Sequence, residues 1–170
     1  LHKHFVYVIC FFLYVMYGGS SFQDALQVAT AMELSQSAVL VHVDIMDNDR
    51  TRRGFPSLYA QYEDDALDQG IAHSEEFGKS MGIVVGDLGI FMTHELFGSI
   101  QHSPRLLQTY SLIMVDLGID QMFDYQFGMS ENEPSCEEIE NMYTHKTARY
   151  SFVLPFLLGA ILAGAPDEEL

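Results

Sequence analysis

His42-Val43-Asp44-Ile45-Met46-Asp47-Asn48-Asp49-Arg50-Thr51-Arg52-Arg53-Gly54 is the stretch on which the reading of this chain turns. Before it, residues 21–46 space their apolar side chains at three and four, which predicts a helix that runs out at the aspartates. Asp44 and Asp47 are three apart, so at helical pitch both carboxylates lie on one face and can hold a hard cation between them. Arg52 and Arg53 then supply two planar forks suited to phosphate oxygens. Together these side chains describe a place where Mg²⁺ bridges acidic groups to a diphosphate that the carboxylates alone would repel. Spacing by itself leaves a second reading open, a solvated acidic helix end whose arginines make surface pairs.

Working outward, strand signals are almost absent, and the apolar stretches are long and rich in Leu, Met and Ala. They predict an all-α chain with helices at about 3–17, 21–46, 76–100, 104–127, 135–148 and 150–164. Ser135 followed by Glu138 reads as a capping box, and Pro104 suits a first helical turn. Residues 50–78, with Gly54, Pro56, Gly70 and many acids, read as the one long irregular connection, a kind of segment that tends to be functional. Within it Asp64-Asp65-Ala66-Leu67-Asp68 spells a DDxxD pattern, but no arginine pair follows, and the expectation is a solvated acidic loop.

The apolar run Phe5–Tyr17 followed by Gly18-Gly19 fits a buried helix closed by glycines; a signal segment is the competing reading. Thirteen residues are too few to span a bilayer, so no stable membrane span is expected. A second apolar run, Ser151–Ala165, lies close to the last residue, and residues 1–170 therefore read as a single partial domain, incomplete at both ends.

The composition narrows the function. Among 170 residues, 24 are acidic and 8 are Lys or Arg, a formal charge of −16, which excludes a phosphate-backbone groove for nucleic acid and favours a cationic partner. With 48% apolar residues, disorder is excluded. Cys10 and Cys136 sit in no metal-ligand spacing and are expected to be reduced, packed thiols. His94-Glu95 lacks the second histidine of a zinc motif.

The quoted stretch resembles the first aspartate-rich motif of the trans-isoprenyl diphosphate synthases (polyprenyl synthetases), in which a helix ends in histidine and an aspartate pair, a further aspartate follows, and then Arg-Arg-Gly and a proline-containing loop. Four more landmarks resemble the family in the same order: Ala31-Met32-Glu33-Leu34 its AxELxH, Gly86-Asp87-Leu88 its GD(L) helix start, Gln121 with Asp124 its GQxxD, and Lys146-Thr147-Ala148 its lysine-threonine motif. The resemblance implies an isoprenoid-synthase-type helical bundle around a central cavity. It also implies a Mg²⁺-dependent prenyltransferase that condenses isopentenyl diphosphate with an allylic diphosphate to a longer polyprenyl diphosphate. Carried over residue by residue, Asp44 and Asp47 are the metal ligands. Arg52, Lys146 with Thr147, and Gln121 face the allylic diphosphate, and Arg53 and Lys3 face isopentenyl diphosphate. A homodimer and a cytoplasmic location are the family default.

The departures are specific. Val43 stands where the family's first aspartate lies, and a valine cannot coordinate; His42 is a poor substitute ligand for Mg²⁺. The GKRxRP element reads Lys3-His4-Phe5-Val6-Tyr7, and Gln36, a substrate-binding position, replaces the histidine of ELxH. The second aspartate-rich motif of the family is absent from these residues, so the 170-residue chain alone is expected to be inactive. These losses support an alternative, a non-catalytic family member that stabilises or regulates an active synthase. The tunnel positions, Ala38 and Val39, are small, which in the family implies a geranylgeranyl or longer product.

Overall fold

The computed structural model describes residues 5–130, 135–166 and 168. The expected all-α character holds. In chain order the elements are α1 (Phe5–Met16), α2 (Phe22–Asp47), β1 (Thr51–Arg52), β2 (Phe55–Pro56), α3 (Leu58–Asp68), α4 (Ser74–Gly98), α5 (Ser103–Met129), α6 (Cys136–Tyr143), a π-helix (Thr144–Val153) and α7 (Leu154–Leu162). Two expectations are corrected. Residues 50–78 are not irregular but hold a two-strand hairpin and an eleven-residue helix. The predicted break near residue 149 is instead continuous π-helical backbone leading into α7.

The chain divides into two compact units, residues 34–94 and residues 1–33 with 95–170. In the second of these, α1 packs on α7. Gly159 makes the approach possible, since a Cβ there would lie 2.4 Å from the Cys10 carbonyl oxygen and 3.1 Å from Leu13 Cβ. Around this contact Cys10, Tyr14, Leu154, Leu158 and Ile161 are buried, while Phe97 and Tyr110 pack ring to ring at 5.1 Å. Burial pushes the Cys10 thiol up to about 12, so it behaves as a small apolar filler. Cys136 is exposed, so only one of the two thiols is packed as expected. The glycine closure of α1 is confirmed: Gly18 at φ +80° donates to Val15 O, and Gly19 donates to Tyr14 O, the paired bonds of a Schellman end. The capping box also forms, with Ser135 N donating to Glu138 Oε2 and Glu138 N to Ser135 Oγ.

The unit of residues 34–94 is built on a glycine stripe. Gly78, Gly82, Gly86 and Gly89 recur every three or four residues along α4 and so share one face. An added Cβ would meet Tyr59 O at Gly78, Ile45 Cδ1 at Gly82, the His42 ring at Gly86 and Ala38 Cβ at Gly89. α4 therefore lies backbone-close to α3 and to the later turns of α2. This revises the expected role of Gly86-Asp87: the pair sits in the middle of α4, where the glycine serves close approach, and no helix starts there. α4 is the one helix among the described residues long and apolar enough to cross a membrane by length and composition.

Candidate functional site

The site is assembled where α2 stops. Asn48, at φ +55°, takes the left-handed position that asparagine tolerates, with Asn48 N donating to Ile45 O and Asp49 N to Asp44 O. The chain then turns back through β1 and β2, which pair antiparallel. The two turn residues between them, Arg53 (φ +57°) and Gly54 (φ +83°), both have positive φ, as a tight primed hairpin turn requires. The hairpin returns Arg52 onto the helix end and leaves Arg53 exposed at its tip.

Arg52 and Asp44 form an ionic contact in which the carboxylate is buried. Arg52 Nε donates to Asp44 Oδ1 at 2.6 Å, and Nη2 donates to the same oxygen and approaches Asp49 Oδ2 at 3.5 Å. Asp44 is only 4% exposed, whereas the Arg52 side chain is 34% exposed. Its hydrogen bond to Asp44 raises the Arg52 pKa; partial burial opposes this, and the nearby charges of Asp44, Asp49 and Asp47 add to it. Asp47 itself is exposed.

Arg50 points to α3 instead, 2.5 Å from Glu63 Oε2 and 3.2 Å from Asp64 Oδ1. Its carbonyl accepts from Ser57 N at 2.9 Å, which fixes the hairpin to the start of α3, and the Ser57 hydroxyl is buried without a partner. The DDxxD stretch is helical, not a loop: Asp64, Asp65 and Asp68 lie exposed on α3. A signal for this helix was present in Leu58, Tyr59, Tyr62 and Ala66, whose spacing matches one helical face.

His42 is drawn away from the aspartates. Its Nε2 lies 3.2 Å from Ile83 O and 3.4 Å from Asp87 Oδ1, both on α4, so it does not replace the missing carboxylate at Val43. Ala38 is buried against Gly89, while Val39, Gln36 and Val43 are half-buried on α2. Gln121 is half-buried on α5 and belongs to the other unit, as do Lys146 and Thr147. The backbone of those two lies in the π-helix, their side chains are outside the description, and Lys3 lies outside the described residues.

Among the described residues no three His, Cys, Asp or Glu side chains gather as a closed metal cage. Asp44 and Asp47 are hard oxygen donors, and Mg²⁺ is ordinarily held by one or two carboxylates with the remaining positions filled by water and substrate phosphate. The donor set therefore fits a cation shared with a ligand, not a resident structural ion.

The polyprenyl synthetase family model matches residues 3–170. Among curated relatives, the chain is 25% identical over 154 residues to a geranylgeranyl diphosphate synthase of Methanosarcina mazei, covering 88% of this chain and 42% of that protein. It is 30% identical over 151 residues to a short chain isoprenyl diphosphate synthase of Methanocaldococcus jannaschii, covering 86% and 40%. The fold matches the crystal structure of a geranylgeranyl pyrophosphate synthase from Corynebacterium glutamicum, complexed with isoprenyl diphosphate and magnesium, at TM-score 0.89 and 24% identity, over 97% of this chain and 49% of that one. The chain spans less than half the length of these relatives.

Proposed function

The chain belongs to the polyprenyl synthetase family, and on that premise we propose that the protein carrying it is a trans-prenyltransferase that joins isopentenyl diphosphate to an allylic diphosphate. Residues 1–170 are taken as the N-terminal portion of one such domain. The observation that carries the reading is the end of α2, where Asp44 and Asp47 stand one helical turn apart and the hairpin returns Arg52 beside them. When bound, Mg²⁺ would neutralise charge on the diphosphate as it leaves the allylic carbon. The chain's own residues do the rest. Asp44 and Asp47 hold the cation, and Arg52, Gln121, Lys146 and Thr147 bind the allylic diphosphate. Arg53 and Lys3 serve isopentenyl diphosphate, and Gln36 is a further substrate-binding position. Arginine forks bound to the leaving diphosphate would favour the charge that develops there, and apolar helix walls would keep water from the allylic cation.

Ala38 and Val39 set a tunnel open to a geranylgeranyl or longer product. The homodimer is proposed on a stripe along α5, where Leu112, Val115, Ile119 and Met122 are exposed at steps of three, four and three residues and Met129 follows seven residues on. A cytoplasmic location goes with the same reading.

The test is an assay of the full-length protein with isopentenyl diphosphate, farnesyl diphosphate and Mg²⁺, products identified by mass spectrometry. A longer polyprenyl diphosphate supports the reading, with Asp47→Ala reducing turnover on the order of a hundredfold or more, as expected for a lost electrostatic contribution to the transition state. No product from the wild type, with product appearing in Val43→Asp, overturns it in favour of a non-catalytic subunit.

A further inference from the structure

Arg52 occupies the place where a cation is wanted. Its guanidinium is bonded to Asp44, lies 3.5 Å from Asp49 and feels the charge of Asp47. Asp44 is 4% exposed, so its charge has little water to fall back on if Arg52 leaves. Arg52 is one-third exposed and can be reached by a ligand from solvent.

On the reading above, on which this inference rests, the same two side chains have other partners: a divalent cation for Asp44 and a diphosphate for Arg52. Each ligand then finds its partner engaged by the other's. A cation arriving alone sets two positive groups against one carboxylate and strands Arg52. A diphosphate arriving alone takes Arg52, leaves Asp44 buried without a counter-charge and meets three carboxylates. The two together exchange the buried ion pair for two and leave only Asp49, which is exposed, to solvent.

We propose that the Arg52–Asp44 pair is a coincidence latch, which admits a divalent cation and a diphosphate as a unit and discriminates against either alone. The selectivity is a coupling free energy between two ligands, created by the pair they must both break.

Isothermal titration calorimetry on the full chain tests this with inorganic diphosphate in EDTA, Mg²⁺ alone, and diphosphate at fixed Mg²⁺. In the wild type, Mg²⁺ is expected to raise diphosphate affinity by about tenfold or more. The decisive arm is the metal-free one. Asp44→Asn removes the partner's charge and leaves Arg52 only a neutral carbonyl to donate to, so its hold on Arg52 weakens and it is expected to bind diphosphate in EDTA several-fold tighter than the wild type. Asp47→Asn removes the same charge from a residue that does not bond Arg52, and its gain is expected to be smaller. Equal gains, or none in Asp44→Asn, overturn the latch while the shared site stands. Absence of binding by the wild type with both ligands present overturns the reading of the site and the latch with it. A gain of affinity is a readout that a misfolded variant does not imitate.

Discussion

Two aspartate stretches lie within twenty-five residues of each other in this chain, and they behave differently. Asp44-x-x-Asp47 ends α2, with Asp44 buried and bonded by Arg52. Asp64-Asp65-x-x-Asp68 spells the motif more faithfully, yet lies exposed on α3, where Asp64 pairs with a half-exposed Arg50. The difference is one of environment. A carboxylate withdrawn from water must have a counter-charge and responds strongly to losing it; an exposed one is already satisfied by solvent. The proposed chemistry is placed at the first stretch because its charges are expensive to leave alone.

Arg52→Ala against Arg50→Ala is the sharpest contrast. Removing Arg52 leaves a buried carboxylate without its partner, and a loss of about 3 kcal/mol is expected, the low end for a broken buried pair because Arg52 is itself partly exposed. Arg50→Ala is expected to cost less, about 1 kcal/mol, because Arg50 is half-exposed and Asp64 is exposed, although Glu63 is partly buried. Urea unfolding measures both, and equal losses would erase the distinction between the two stretches.

Packing offers a second contrast. A Cβ at Gly78 would lie 2.5 Å from the Tyr59 carbonyl oxygen, a backbone atom, whereas at Gly86 it would meet the His42 ring. Backbone cannot rotate aside and an imidazole can. Gly78→Ala is therefore expected to destabilise by about 2 kcal/mol, in the range of overpacked cores, and to loosen α3 with its DDxxD stretch. Gly86→Ala is expected to cost less; hydrogen exchange along α3 separates the two, and protection of α3 unchanged in Gly78→Ala would count against this account.

Salt gives a third. At 1 M ionic strength the screening length is about 3 Å, so the small effect of Arg50→Ala is expected to vanish, while that of Arg52→Ala persists because its partner is shielded from solvent. An Arg52 effect that fades equally with salt would mean that the Asp44 pair is solvated.

The helical class and the deciding stretch were legible because their signals are local. Apolar spacing marks the long helices, and Asp44, Asp47, Arg52 and Arg53 stand within ten residues. What was not legible depended on geometry that spacing does not encode. The hairpin rests on Arg53 adopting positive φ, an unusual state for an arginine, and two-residue strands are too short to show a period. α3 was hidden by the acids and by the Gly70 that ends it, although its apolar positions keep a helical face. The pairing of Arg52 with Asp44 follows only once the hairpin is built. His42, a poor substitute ligand by its chemistry, is also out of place, since two residues along a helix turns it well away from Asp44 and onto α4. Gly86-Asp87 reads as a helix start from its likeness to a motif, whereas the glycine answers to the His42 ring across the contact.

The smallest effect is expected from Asp64→Asn combined with Asp68→Asn, measured as Mg²⁺-dependent diphosphate affinity. These side chains stand one turn apart on α3, so a cation between them is sterically conceivable, and a pattern search would choose them. But both are exposed, so they must compete with bulk water for the ion and contribute no burial that would strengthen the contact. Asp64 is also committed to Arg50, which anchors the hairpin together with Glu63, and Asn retains a carbonyl oxygen able to accept from that guanidinium. The double substitution is therefore expected to change affinity by less than about twofold, the scale of a screened exposed charge. A loss of about tenfold or more would mean that the cation is held on α3, and the comparison of the two stretches would reverse.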